Sequence, residues 1–388
     1  QAGLQLKPVA CDPMLDADVV IDALLGIGLS GEVREPYAKM IAKINESAAP
    51  VLSLDVPSGL SVDTGTVAGS AVHAKVTVTF VGLKQGLFTS QAVAHTGRIV
   101  LETLGIADSI YEQVPPSAEL LTWSSMKELL PRRARDAHKG CHGHVLVIGG
   151  DYGMGGAVRI AAESALRAGA GLVSVATRPE HVNVVSGARP EIMCHQVTNS
   201  EDLLPLLERA SVVVIGPGLG KTDWALGLMQ CVLSSGLPKV LDADALNLLS
   251  MDPCQRDDWI LTPHPGEASR LLDCSVLDLQ QDRFASARNI LAQYGGVLVL
   301  KGPGSIVQCR DKLPKICPVG NPGMATAGMG DVLAGVIGGL LSQGLSLSEA
   351  ARVGTLAHSR AADMAAAKDG ERGLLATDLL PYLREMMN

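Results

Sequence analysis

Residues Asn321–Asp331 read Asn-Pro-Gly-Met-Ala-Thr-Ala-Gly-Met-Gly-Asp, and the apolar run Val332-Leu-Ala-Gly-Val-Ile-Gly-Gly-Leu-Leu341 follows at once. A glycine-rich turn that opens a helix points several backbone N–H groups at one spot, where the helix dipole adds partial positive charge. That combination holds an anion, most often phosphate. Asp331 falls where turn becomes helix, so its carboxylate can reach a group beside that anion. A carboxylate next to a phosphate cradle suits phosphoryl transfer to a hydroxyl. A plain helix-capping Asp after a flexible loop explains a lone Gly-x-Gly-Asp better; the longer string and its companions elsewhere in the chain outweigh that reading.

Those companions lie in an alternating chain. Short β-branched runs (Val19–Leu24, Val51–Val56, Lys75–Val81, His144–Ile148, Leu172–Ala176, Ser211–Ile215, Lys239–Leu241, Val297–Leu300 and Ser305–Gln308) predict strands. Tyr37–Asn45, Gly156–Ala168, Glu201–Arg209, Thr222–Leu233, Arg283–Gln293, Asp331–Leu341 and Ser348–Ala367 predict helices. Several strands are continuously apolar, as expected when both faces of a mainly parallel sheet are covered. The pattern is α/β. A seam at Val114-Pro-Pro-Ser117 separates residues 1–115, with about three strands, from residues 116–388, with enough for a complete domain. The basic stretch Pro131-Arg-Arg-Ala-Arg-Asp-Ala-His-Lys-Gly140 reads as a solvated domain entry rather than a phosphate-seeking arm.

Composition narrows the partners. At 388 residues the chain has room for two or three domains. Aromatics are only 3% and the formal net charge is −8, so a nucleic-acid partner is not expected. The eight cysteines (Cys11, Cys141, Cys194, Cys231, Cys254, Cys274, Cys309, Cys317) form no C-x-x-C pair, which argues for reduced thiols and a cytoplasmic setting. No apolar run approaches the ~20 residues that cross a bilayer, so no membrane partner is expected either. The chain opens on Gln1 with no leader pattern, and further sequence upstream is expected.

In open α/β sheets ligands gather beyond the carboxyl ends of strands, so four loops of the second half should converge. Gly149-Gly-Asp-Tyr-Gly-Met-Gly-Gly-Ala157 leads into a helix but fails the dinucleotide fingerprint, Val158 standing where its third glycine belongs. Gly216-Pro-Gly-Leu-Gly-Lys-Thr222 has three residues rather than four between Gly216 and Gly220, which excludes a Walker A loop. In Thr262-Pro-His-Pro-Gly-Glu267 two prolines pin His264 in an extended turn, either a stiff corner or a presented imidazole. Lys301-Gly-Pro-Gly-Ser305 joins two apolar strands, and as a hairpin it can hold the Lys301 ammonium and the Ser305 hydroxyl near a polyphosphate.

With these loops in hand, residues 116–388 resemble the ADP-dependent NAD(P)H-hydrate dehydratases, a branch of the ribokinase-like superfamily. The resemblance rests on His138-Lys-Gly, the Gly149–Ala157 loop, Val214-Ile-Gly-Pro-Gly-Leu-Gly220, Leu241-Asp-Ala-Asp-Ala-Leu246, Thr262–Glu267, Val299-Leu-Lys-Gly302 and Gly320–Asp331. It implies a three-layer α/β/α sandwich that uses ADP and Mg²⁺ to dehydrate NADHX or NADPHX. It further implies Asp331 as the catalytic base, Ala157, Gly218, His264 and Asp331 against the hydrate, and Lys301, Gly302, Pro303, Gly304, Ser305 and Gly330 against the nucleotide. Residues 1–115 resemble the rear half of a Rossmann-like NAD(P)H-hydrate epimerase domain, through Val20-Ile-Asp-Ala-Leu-Leu-Gly-Ile-Gly28 and Ser53-Leu-Asp-Val-Pro-Ser-Gly59. There the resemblance assigns Asp22 and Ser58 to a potassium ion and Asp55 to the nicotinamide hydrate. That family's phosphate loop is not among these residues, so no epimerase activity is expected unless another chain supplies it.

A homo-oligomer is expected. The rival readings are a ribokinase-like small-molecule kinase and, for residues 1–115 above all, a nucleotide sensor or scaffold without catalysis. As to the base, a free Asp titrates near ~3.9 and a helix N-terminus favours its charged form, so Asp331 is expected to be a weak one.

Overall fold

A computed structural model describes residues 17–130 and 132–388; Cys11 and Pro131 of the sequence analysis lie outside the described residues. The chain divides into two compact units. The first runs to Ala118 and includes Gln280–Arg283, and the second takes the remainder from Glu119.

In the first unit Val20–Asp22 (β1), Val51–Leu54 (β2), Val76–Phe80 (β3) and Arg98–Glu102 (β4) form one parallel sheet in chain order. Four strands stand where three are expected from the sequence. The fourth was concealed because β4 is an edge strand with charged ends and a largely exposed run, so it lacks a buried strand's apolar signature. Helix Tyr37–Glu46 links β1 to β2 and buries Ile41 and Ile44 against Val20, Val51 and Val72.

The second unit is built on ten strands: Glu119–Leu120 (β5), His144–Ile148 (β6), Leu172–Thr177 (β7), Met193–Gln196 (β8), Val212–Ile215 (β9), Lys239–Leu241 (β10), Trp259–Leu261 (β11), Val297–Leu300 (β12), Ile306–Cys309 (β13) and Lys315–Ile316 (β14). Their order is β5-β14-β13-β12-β11-β10-β9-β6-β7-β8. From β12 across to β8 every pairing is parallel, while β13 runs antiparallel to its neighbours. β9, β11 and β12 are buried at every position, as continuous apolar runs require, and β10 is buried throughout as well, its charged Lys239 included. Each Val, Leu or Ile so buried contributes about 1.5–3 kcal/mol.

Chain order reverses between β6 and β9. From β6 the strands proceed to β7 and β8; from β9 they proceed the opposite way to β10, β11 and β12. With right-handed crossovers, helices on the two sides of that reversal fall on opposite faces, which yields three α/β/α layers. Helix Met329–Ser342 lies over β6, β9 and β10 and packs against helices Gly155–Arg167 and Leu347–Asp369. Small residues permit this close approach. A Cβ at Gly335 would lie 2.0 Å from the Ala161 carbonyl oxygen, and one at Gly338 would lie 2.4 Å from Val214.

Glu201–Arg209 is not one helix. Glu201–Leu203 forms a 3₁₀ turn and Leu204–Leu207 a single α turn, with Pro205 at the start where its missing N–H costs nothing.

Candidate active site

The loops after β12, β11, β10, β9, β6 and β7 leave the sheet on one edge, because those strands are parallel. At the reversal between β6 and β9, where doubly wound sheets gather ligands, the Gly149–Ala157 and Gly216–Thr222 loops are joined by backbone bonds, Gly150 N–H to the Pro217 carbonyl at 3.0 Å and Asp151 N–H to the Gly218 carbonyl at 2.6 Å. The four loops singled out in the sequence therefore belong to one edge.

Asp331 occupies the first turn of Met329–Ser342. Gly328 caps this helix at φ +88, a left-handed conformation that a side chain resists. The carboxylate is mostly buried. Burial, followed by the negative charge of Asp242 and with a further push from Glu267, raises its pKa to about 7, while Lys301 offsets part of the rise. This corrects the expectation of a weak base. The helix terminus favours the charged form, but desolvation and two neighbouring carboxylates outweigh it.

Lys301 ends β12. Its Nζ donates to Asp242 Oδ1 at 2.8 Å and stands 3.8 Å from Glu267 Oε2. Burial alone would favour the neutral amine, yet the charges of Asp242, Glu267 and Asp331 hold its pKa above the ordinary lysine value. The ammonium is thus engaged by carboxylates. A Cβ on Gly330 would lie 3.1 Å from Lys301 Nζ and 3.3 Å from Asp242 Oδ2, so these groups touch the backbone just before Asp331. In the hairpin itself Gly302 (φ +137) and Gly304 (φ +61) make the turn, and Ser305 Oγ donates to the Gly302 carbonyl at 3.0 Å.

Asp242 and Glu267 had no role in the sequence reading. Asp242 follows β10, is 1% exposed, and also accepts from Thr262 Oγ1 at 2.7 Å. Ala243 after it adopts φ +47, strain of the kind that persists where surrounding structure enforces it. Glu267 and His264 form a capping box on helix Pro265–Leu271. His264 Nδ1 accepts the amides of Gly266 (2.9 Å) and Glu267 (3.3 Å), so the ring proton sits on Nε2, which faces Glu267 Oε1 at 3.3 Å. Burial and then Lys301 lower the His264 pKa, keeping the half-exposed ring neutral. Burial raises the pKa of Glu267. His358, from helix Leu347–Asp369, is buried and neutral, pushed down to about 4 by burial and Lys301.

Ala157 and Gly218 meet on the other side of the crevice. A Cβ on Gly218 would lie 2.7 Å from Met154 Cβ and 3.3 Å from Ala157 Cβ, and Gly218 sits at φ +56. Among the described residues no group of three or more His, Cys, Asp or Glu side chains is arranged to hold a metal ion. No helix there is long and apolar enough to cross a membrane.

In the first unit Asp22 is fully buried. Its Oδ2 accepts from Ser53 Oγ and Ser58 N at 2.8 Å each, and its Oδ1 accepts from Ser58 Oγ at 2.6 Å. Leu25 contributes a carbonyl 3.1 Å from Ser58 Oγ. Asp55, at φ +66 after β2, is paired with Lys84. Burial would raise its pKa, but the Lys84 hydrogen bond and the Phe80 amide hold it below the usual range.

A doubly wound sheet with this carboxylate–lysine cluster beyond the ends of β10, β11 and β12 defines an α/β protein of the ribokinase-like class. The profile of the NAD(P)H-hydrate dehydratase family matches residues 145–385, and that of the YjeF-related protein N-terminus matches residues 3–86. A bifunctional NAD(P)H-hydrate repair enzyme of Coxiella burnetii is 59% identical over 100% of this chain and 79% of its own length. One from Escherichia coli is 45% identical over 96% of this chain and 72% of its own. Among solved structures, an ADP/ATP-dependent NAD(P)H-hydrate dehydratase from Bacillus subtilis, co-crystallised with ATP and Mg²⁺, superposes with a TM-score of 0.62 at 28% identity, covering 70% of this chain and 98% of that one. A ribokinase-like superfamily protein from Enterococcus faecalis gives 0.64 at 29%, covering 70% and 96%. The chain belongs to the NAD(P)H-hydrate dehydratase family, in the bifunctional form that carries an epimerase-type unit in front.

Proposed function

We propose that the second unit, residues 116–388 by sequence, dehydrates NADHX or NADPHX with ADP as phosphoryl donor, releasing NADH or NADPH, AMP and phosphate. The observation that carries this reading is Asp331. It is a carboxylate raised to about 7 in the first turn of a glycine-opened helix, within the field of Lys301, Asp242 and Glu267.

Hydroxide is a poor leaving group, so the hydrate is phosphorylated first. The ring hydroxyl oxygen attacks the terminal phosphorus of ADP, the bond to AMP breaks, and the hydroxyl proton passes to Asp331. The ring-nitrogen lone pair then expels phosphate with the C–O bonding electrons, and loss of a proton from the adjacent ring carbon restores the double bond. A carboxylate near neutrality suits the first step, because it is ionised enough to accept and basic enough to retain the proton. The Gly328–Gly330 amides meet the charge on the transferred phosphoryl group, a contribution worth roughly 10²–10³ in rate per donor. Lys301, Gly302, Pro303, Gly304, Ser305 and Gly330 hold the nucleotide. Ala157, Gly218 and His264 hold the hydrate beside Asp331.

Asp242, Glu267 and Asp331 surround one lysine, an excess of carboxylate that would repel a bare polyphosphate. Mg²⁺ bound with the donor would offset that repulsion, held largely by the phosphates and water. In the first unit (residues 1–115 by sequence) Asp22, the Ser58 hydroxyl and the Leu25 carbonyl are an all-oxygen donor set around a buried carboxylate, which fits K⁺. Asp55 contacts the nicotinamide hydrate. The reading places the protein in the cytoplasm as a homo-oligomer, with neither nucleic acid nor membrane as partner.

Chemically prepared NADHX incubated with ADP, ATP or no nucleotide tests this. Recovery of reduced-ring absorbance with one AMP and one phosphate released per ring supports it. Accumulation of a stable phosphorylated organic product would instead make the protein a kinase.

A further inference from the structure

Beyond Ala157 and Gly218, one strand further from Asp331, lies a cluster that the chemistry above does not use. Arg178 follows β7 directly. Its guanidinium carbon sits 4.1 Å from the Trp224 ring centroid and 4.7 Å from that of Tyr152, so the group is clamped between two rings. Arg178 Nε donates to Asp151 Oδ1 at 2.8 Å. Asp151 belongs to the Gly149–Ala157 loop, its N–H donates to the Gly218 carbonyl at 2.6 Å, and its Oδ2 accepts from Thr222 Oγ1 at 3.3 Å. The arginine is therefore fixed to both loops that wall the crevice.

Three features exceed what loop stitching needs. The Nε bond already joins Arg178 to Asp151, while its Nη groups make no hydrogen bond among the described residues, although a structural arginine usually satisfies its fork. Tyr152 is 64% exposed yet lies over the guanidinium. The chain has only 3 Trp, 5 Tyr and 3 Phe, and two of these eleven rings flank this one arginine. A guanidinium immobilised by stacking, with an open Nη edge, is ordered in advance for a phosphate and loses little freedom on meeting one.

Position decides which phosphate. From β10, beside Asp331, to β7 there are three interstrand steps, about 14 Å in all. The hairpin on the opposite side is assigned to the donor nucleotide, so a dinucleotide whose nicotinamide end is at Asp331 extends over β6 and β7. We propose that Arg178 and Tyr152 form a distal subsite for the adenylate half of the hydrate, with the Arg178 Nη edge taking one of its phosphates against the Tyr152 ring. This rests on the dehydratase reading. The phosphate is either the 5′-phosphate common to both hydrates or the 2′-phosphate of NADPHX.

Steady-state kinetics of Arg178→Ala and Tyr152→Ala with NADHX, NADPHX and the hydrate of reduced nicotinamide mononucleotide, at saturating donor, provide the test. Loss of a charge-assisted hydrogen bond to phosphate predicts that Arg178→Ala raises the Michaelis constant for the dinucleotide hydrates about tenfold or more, with a smaller change in kcat. Tyr152→Ala, at an exposed position that cannot unfold the loops, raises it several-fold. An equal rise for NADHX and NADPHX assigns the 5′-phosphate, and a rise for NADPHX alone assigns the 2′-phosphate. The mononucleotide hydrate lacks the adenylate half and should lose nothing. Equal losses on all three substrates, or none on the dinucleotides, overturn the subsite. Calorimetric titration with ADP-ribose and its 2′-phosphate makes the same comparison without turnover. Weaker binding to Arg178→Ala supports the subsite even if the wild-type chain repairs no hydrate, and unchanged binding overturns it.

Discussion

Lys301 Nζ donates to Asp242 Oδ1 at 2.8 Å, and both side chains lie against the backbone of Gly330, one residue before Asp331. The pair joins the ends of β12 and β10 and sets the field in which Asp331 titrates. Asp242 is therefore a positioning residue for the lysine and a source of the negative charge that makes Asp331 basic.

The first consequence is a pH profile. Proton acceptance requires ionised Asp331, so kcat/KM falls as pH drops through about 7. Asp242→Asn removes a negative neighbour, which lowers the Asp331 pKa and moves that acid limb to lower pH, alongside a loss of rate from the displaced Lys301. A purely structural Asp242 would lower the rate without moving the limb.

Gly330→Ala separates site from scaffold. Its Cβ would press on Lys301 Nζ at 3.1 Å and Asp242 Oδ2 at 3.3 Å. The expected result is a rate loss of roughly 10²–10³ with a melting temperature near that of wild type. Gly335→Ala, whose Cβ would lie 2.0 Å from the Ala161 carbonyl, should instead destabilise by about 1–3 kcal/mol or more. Differential scanning calorimetry beside activity reads both.

His264→Ala removes a ring that caps helix Pro265–Leu271 and whose Nε2 faces Glu267 Oε1 at 3.3 Å. The hydrate Michaelis constant should rise while nucleotide affinity changes little, and cap loss should lower stability by about 0.5–2 kcal/mol. Unchanged hydrate kinetics would make it a structural corner alone.

Away from the site, buried Lys239 donates to Asp258 Oδ2 at 2.6 Å. Burial would raise the Asp258 pKa, but hydrogen bonds from Arg256 and Lys239 bring it down to about 2. A depressed carboxylate contributes stability that is present above its unfolded value near ~3.9 and lost as pH falls through about 2. Asp258→Asn should cost about 2–3 kcal/mol at neutral pH, below the 3–5 of a fully buried pair because Asp258 stays 29% exposed. Its acid unfolding between pH 4 and 2 should also be shallower than that of wild type.

Much of this was legible in the chain because glycine turns between β-branched runs mark the ends of buried parallel strands, and such ends converge. The strands Trp259–Leu261 and Lys315–Ile316 were not, being too short to show a period. The basicity of Asp331 was hidden for another reason. Asp242 and Glu267, the carboxylates that raise it, lie 89 and 64 residues earlier in the chain and reach it only through the sheet. In Asp242-Ala-Asp244 nothing local says which acid faces Lys301; the strained turn at Ala243 directs Asp242 to it, while Asp244 Oδ2 accepts from Gly220 N. Arg178 likewise carries no motif, because one of its two rings comes from the Gly149–Ala157 loop and the other from helix Asp223–Ser234.

The most direct test of the central claim is single-turnover conversion of NADHX by wild type and Asp331→Asn with ADP, read as recovery of reduced-ring absorbance. Asparagine keeps the shape and removes the base. The account predicts rapid ADP-dependent recovery by wild type and a loss of roughly 10²–10⁴ in the variant, with ADP still bound. Recovery by Asp331→Asn at near wild-type rate would contradict it.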